Sequence, residues 1–216
     1  MKDVAEDYGF EPDEFIERLK AALSKIQEPG SSSESTNHRT ANSEDGLPLL
    51  NWPATPYLTV SIPVLEHQEV ENETLMPARC TGKRRWRMIY PPRNDFVFVW
   101  MGNPELYGAL GGRLPAKLSC LVKVRDPTTG KSYRLALVSS FEVENGGAAK
   151  EPHGLVTVRK RLDQNTRRTK EGAGSIFVVP ISRLLGPAHL IPIQPVETRQ
   201  WFVNSTIDLV VFNSIY

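Results

Sequence analysis

Asn94 to Val143 reads NDFVFVWMGNPELYGALGGRLPAKLSCLVKVRDPTTGKSYRLALVSSFEV, and this stretch decides the fold. Phe96–Trp100 is a continuous apolar run, rich in aromatic and β-branched residues. Its length is too short for a buried helix and suits a buried strand. From Ala116 to Arg125 the pattern alternates. Leu118, Cys120, Val122 and Val124 are expected on one face, and Lys117, Ser119, Lys123 and Arg125 on the other, with Leu121 the exception. Asp126-Pro127-Thr128-Thr129-Gly130 then supplies a turn: Asp opens it, Pro sets φ and Gly accepts the left-handed position. Alternation resumes with Tyr133, Leu135, Leu137, Phe141 and Val143. Two alternating runs about such a turn predict a β-hairpin. With the Phe96–Trp100 strand they make a three-strand nucleus, in which Leu118, Cys120, Val122, Leu135 and Leu137 are expected to be buried.

The 216 residues are 40% hydrophobic, which is ordinary globular composition and enough for one sizeable core. The net charge of +1 hides an asymmetry. Residues 1–46 hold 5 Lys/Arg against 11 Asp/Glu, whereas residues 47–216 hold 21 against 14. A basic body with an acidic leading segment favours a polyanionic partner. Two cysteines, Cys80 and Cys120, make no disulfide framework, and no zinc ligand set is visible. Cys120, on the apolar side of a predicted strand, reads as a buried reduced thiol. Met1–Phe10 is polar and acidic, so no signal peptide is expected. No apolar run approaches membrane-spanning length. The chain therefore reads as intracellular and soluble.

Outward from the nucleus, PDEFIERLKAALSKIQ at 12–27 predicts an amphipathic helix, with Phe15, Ile16, Leu19, Ala22, Leu23 and Ile26 on one stripe. Pro12 fits the first helical position, and Glu14 can pair with Arg18 four residues on. Two readings are open: a helix docked on its own domain, or an appended helix that binds another segment or chain. Residues 30–46 are rich in Ser, Thr and Asn and read as a disordered linker. Such a linker makes the helix separable from the β domain. Leu47–Pro63 reads as extended chain with Tyr57–Ile62 a candidate edge strand. Short strands are expected at Leu155–Arg159, Ser175–Val179, Ala188–Ile193 and Gln200–Asn204. A helical turn is expected at Ile181–Leu185, and a terminal helix from Asp208.

Gly108–Gly112 permits positive φ or close backbone approach, but lacks the helix that a phosphate cradle needs. Asp95, Asp126, Glu142, Asp163 and Asp208 are scattered, and the histidines show no metal-ligand spacing. His189, within an apolar strand, reads as a hydrogen-bonded core histidine. No nucleophile motif is present. The sequence therefore offers no support for an enzyme, and no cofactor is implied. Two basic clusters remain. Lys83, Arg84, Arg85, Trp86 and Arg87 interleave a ring with cations, a pattern that binds phosphates and stacks bases. Arg159, Lys160, Arg161, Arg167, Arg168 and Lys170 form the second. Each also reads as a solvated loop or as a nuclear import signal.

Several segments together resemble a known family. They are Ala78-Arg79-Cys80-Thr81-Gly82, Pro92–Val99, Tyr107-Gly108 with Gly112–Ala116, and Val203-Asn204 with Ile207-Asp208-Leu209 and Phe212-Asn213. From about Ala78 to Tyr216 the chain resembles the C-terminal region of fungal transposable-element proteins of the Plavaka type. Such transposases cut DNA with acidic residues of an upstream RNase H-like core, for which no counterpart is expected here. The resemblance implies ancestry, and it carries no functional residues over.

The resulting expectation is a mainly β protein with short helices, on the border of α+β. An amphipathic helix (1–29) and a linker (30–46) precede a β domain (47–216) built as a partly closed small barrel. The expected role is a non-catalytic binding or accessory module of a transposable element, in the nucleus or otherwise the cytoplasm. Its partner would be DNA, or a chromatin or transposase protein. A protein–protein module, a metal-dependent nuclease and a decayed reading frame are the alternatives.

Overall fold

In the computed structural model, β5 (Arg113–Arg125) is the strand on which the others are assembled. The structure describes residues 2–8, 10–27, 52–63, 75–80, 94–148, 154–160, 176–194 and 199–204. The expected linker at 30–46 and terminal helix from Asp208 lie outside the described residues. β4 (Phe96–Trp100) pairs with the first half of β5 and β6 (Ser132–Ser140) with most of its length, so the three-strand nucleus is present. The main sheet runs β10-β4-β5-β6-β9, where β9 is Ile176–Pro180 and β10 Leu184–Pro187. β1 (Ala54–Pro56) pairs with the second half of β5.

Two smaller sheets complete the mainly β fold. β2 (Thr59–Pro63) pairs with β3 (Leu75–Arg79). β7 (Glu142–Val143), β8 (Val156–Arg159), β11 (His189–Pro192) and β12 (Gln200–Asn204) run in the order β11-β12-β8-β7. All pairings among the described residues are antiparallel. In place of the partly closed small barrel expected above, the sheets among the described residues are open and do not close. β1, β9, β10 and β11 each end in a proline, which donates nothing to a further strand and so blunts the edge. The predicted helical turn at Ile181–Leu185 is a 3-10 turn, Ile181–Arg183, and Gly186-Pro187 belong to β10.

The hairpin corrects one detail of the alternation. Leu118 is opposite Val138 and Cys120 opposite Leu137, so Ser119 is an extra residue in β5. Such a bulge exchanges the parity of the faces. Leu118 therefore packs with Val97, Ala116, Leu121 and Val138, while Cys120, Val122 and Val124 pack with Tyr133, Leu135 and Leu137 on the other side. Leu121 is thereby explained: the centre of the sheet is buried on both faces. At the hairpin tip, Asp126 Oδ1 accepts the Thr128 amide at 2.8 Å and Oδ2 accepts the Thr129 hydroxyl at 2.6 Å. Gly130 takes φ +71°, as the turn requires.

The helices cover one face. α1 (Lys2–Tyr8) leads into α2 (Pro12–Gln27). Glu11 Oε2 accepts the amides of Asp13 and Glu14, and Phe10 packs on Phe15 with ring centroids 5.7 Å apart. These are a cap and a hydrophobic staple. Val4, Ala5, Phe15, Ile16, Leu19 and Leu23 are buried in one cluster with Cys120, Val122, Val124, Leu135 and Leu137. The Arg18 guanidinium pairs with Glu14 and donates to the carbonyl of Ile176 on the outer strand β9. Of the two readings of the helix, the structure has the docked one: the apolar stripe of α2 packs in the main core.

Beyond the helices, the same side of the main sheet carries the four-stranded sheet. Phe98, Leu110, Phe141, Val156, Val158 and Val203 join the two, with Phe141 edge-on to Trp201 at 5.3 Å. The opposite face is covered by β2–β3 through Ile62, Ala78 and Cys80, together with Leu184 of β10. This cover stops short of the hairpin tip, where the strands of the main sheet turn an uncovered face to solvent.

Candidate nucleic-acid interface

On the β2–β3 side, β5 continues past Leu121 with Lys123 and Arg125, and β6 begins with Ser132 and Arg134. The register places Lys123 directly opposite Arg134 and Arg125 opposite Ser132. On the other flank of β5, Thr55 of β1 is opposite Lys123. Side chains two apart on a strand share a face, so Thr55, Lys123, Arg134, Arg125 and Ser132 form one patch. All five are exposed. Directly opposed like charges cost stability in a sheet, yet Lys123 and Arg134 stand as such a pair. Neither they nor Arg125 makes an ion pair with another described residue. Every side chain of the patch can donate a hydrogen bond, and none carries negative charge.

Tyr57 marks the inner limit of the patch. Its amide bonds the Leu121 carbonyl at 3.1 Å, and its ring packs on the core under β2–β3. Its hydroxyl is buried without a hydrogen-bond partner. Burial pushes the phenol up to about 12, against the lowering pull of the Arg134 guanidinium. The hydroxyl is therefore a neutral donor at any ordinary pH. The helices on the opposite face of the sheet present exposed Asp3, Glu6, Asp13 and Glu17. The same helices also carry exposed Lys2 and Lys25, so their six acidic residues outweigh their four basic ones by two, while the hairpin patch carries no acid.

Of the basic residues expected to bind nucleic acid, Lys83, Arg84, Arg85, Trp86, Arg87, Arg161, Arg167, Arg168 and Lys170 lie outside the described residues. Arg159 and Lys160 are described. Arg159 Nε contacts Glu142 Oε2 at 3.0 Å across β7 and β8, and that hydrogen bond raises the guanidinium pKa. Its charge is largely matched. Lys160 is half-buried, and its amide bonds the Arg199 carbonyl at 3.3 Å. The structure joins neither to the hairpin patch.

Three carboxylates of the β region have structural partners. Asp95 accepts the Arg79 amide at 2.8 Å, Glu142 holds Arg159, and Glu144 accepts from Gln200 at 2.6 Å. Among the described residues, no three His, Cys, Asp or Glu gather to hold a metal ion. Leu110, Gly111 and Gly112 use their amides inside their own loop, on Tyr107, Gly108 and Leu106. Those amides therefore form no phosphate cradle. Cys80 and Cys120 are free and buried. Burial pushes the Cys80 thiol up to about 12 and the Cys120 thiol well above its ordinary value. His189 departs from the expected bonded core histidine: its Nδ1 is buried without a partner.

Compared with known proteins, the chain matches no family model, no curated protein and no solved structure. Among the described residues no helix is long and apolar enough to cross a membrane.

Proposed function

We propose that this chain is a non-catalytic binding module that holds nucleic acid by charge. One observation carries the reading: in an exposed patch of Thr55, Lys123, Arg125, Ser132 and Arg134 every side chain can donate and none is negative, with two cations directly opposed. A like-charge pair retained on a sheet is relieved when an anion bridges it. Lysine, arginine and hydroxyl side chains are the groups that contact phosphates and sugars. The basic clusters Lys83–Arg87 and Arg159–Lys170 add sequence-level charge to the same end. Descent from a Plavaka-type transposable element fits such an accessory role, and DNA in the nucleus is the partner it favours.

Titration of the chain against a fluorescent duplex at low salt tests this. Binding is expected, with the logarithm of affinity falling linearly with the logarithm of salt concentration. No binding at low salt overturns the reading and leaves a protein–protein module as the better one.

A further inference from the structure

We infer that the hairpin patch takes two successive phosphodiesters of a single nucleic-acid strand, aligned along β5 and β6 and read without base contacts. The inference rests on the nucleic-acid reading above and specifies its ligand. The geometry comes from the sheet. Opposed residues of an antiparallel pair have Cβ atoms about 4.5–5.5 Å apart. Lys123 and Arg134 are such a pair, so their long side chains converge on one phosphate rather than two. Arg125 and Ser132 are the next pair on the same face. They lie about 6.8 Å further along, twice the antiparallel rise. That step matches neighbouring phosphates along one strand. The nucleic-acid strand therefore runs along the β-strands, with one phosphate over Lys123 and Arg134 and the next over Arg125 and Ser132.

The patch offers a base no aromatic ring to stack on. No residue of the patch is aromatic, and the ring of Tyr57 is packed into the core beneath. The described patch thus lacks the aromatic platform that is the usual sequence-tolerant grip on single strands. What remains is the sugar–phosphate backbone, which is common to duplex and single strands.

The test is a salt titration of four proteins against a labelled duplex (wild type, Arg125→Ala, Lys123→Ala and the double variant Lys123→Ala/Arg134→Ala), with the wild type also titrated against a single strand and an abasic oligomer. Each neutralised phosphate contributes about 0.9 to the logarithmic salt slope on duplex DNA and about 0.7 on single strands. Arg125→Ala is expected to lower the duplex slope by about 0.9. The double variant is expected to lower it by the same amount and not by twice that, because its two cations share one phosphate. Lys123→Ala alone is expected to lower it by less. An abasic oligomer should bind as tightly as a single strand of the same length. The double variant removes a like-charge pair, so its unfolding midpoint should hold or rise. Wild-type binding with unchanged slopes in all variants overturns this site while leaving the nucleic-acid reading intact. A double loss in the double variant overturns the shared phosphate. Weaker binding of the abasic oligomer overturns the backbone-only grip.

Discussion

Replacing Leu19 with Ala should destabilise the whole protein, although Leu19 stands in a helix that precedes the β domain in the sequence. Leu19 is 0% exposed and packs in one cluster with Val122, Leu135 and Leu137. Truncating a buried leucine costs about 2–5 kcal/mol, combining lost transfer energy with the cavity left behind. For a chain of this size each kcal/mol moves the melting temperature by about 2–4 °C. The expected fall in Tm is therefore about 4–20 °C, the product of those ranges. The assay is thermal unfolding followed by the far-ultraviolet signal of the strands rather than of the helix. Ser24→Ala is the internal control. Ser24 is exposed on the same helix and bonds only the Lys20 carbonyl, so its replacement should stay within about 0.5 kcal/mol of wild type. A helix that serves only as an appendage predicts no difference between the two variants. An unchanged strand transition in Leu19→Ala would refute the docking of α2 on the sheet.

The geometry fixes three further outcomes. A Cβ on Gly147 would lie 1.8 Å from the Tyr107 carbonyl oxygen at φ +87°, whereas one on Gly146 at φ +62° meets nothing within 4 Å. Gly147→Ala should therefore lower the denaturant midpoint well below that of Gly146→Ala, where left-handed strain alone costs about 1–2 kcal/mol, and equal midpoints would contradict the close approach of Gly147 to the Tyr107 backbone. The Asp126 carboxyl is held below its ordinary value, chiefly by the Thr129 hydroxyl and then by the Thr128 amide. Its stabilisation is full above the ordinary carboxyl range and is lost as pH falls through the lowered value. The gap in Tm between wild type and Asp126→Asn should close in acid, and a gap that widens there would refute the turn's geometry. Both thiols should resist a disulfide-exchange reagent at neutral pH until denaturant is added, because burial keeps them protonated; rapid labelling of the native chain would show one of them to be open.

Much of the nucleus was legible because its signals are local. The turn chemistry of Asp126–Gly130 and the alternation on either side of it fix a hairpin without reference to the rest of the chain. The bulge at Ser119 was not legible, since a period-2 pattern does not mark an extra residue, and Leu121 was its only trace. The stripe on α2 announced a helix but not its partner, because the apolar face it meets is assembled from β5, β6 and β9, distant in sequence. β1 and β3 leave little mark on the sequence because each is short and contains a proline. The candidate site was half visible. The alternation places Lys123 and Arg125 on the polar side of their strand, but the pairing of Lys123 with Arg134 and of Arg125 with Ser132 depends on register. Their exposure depends on where β2–β3 stops. Contiguous charge runs stand out in a sequence, while cations spaced by buried residues read as ordinary strand.

The most direct measurement is an amide chemical-shift map of the isotope-labelled chain titrated with a short duplex at low salt. Perturbations are expected at Thr55, Lys123, Arg125, Ser132 and Arg134, fading across Tyr57, and absent from Val4, Leu19 and Leu23 on the far side of the sheet. Shifts gathered on the helices, or binding that leaves those five amides unmoved, would contradict the hairpin patch as the nucleic-acid surface.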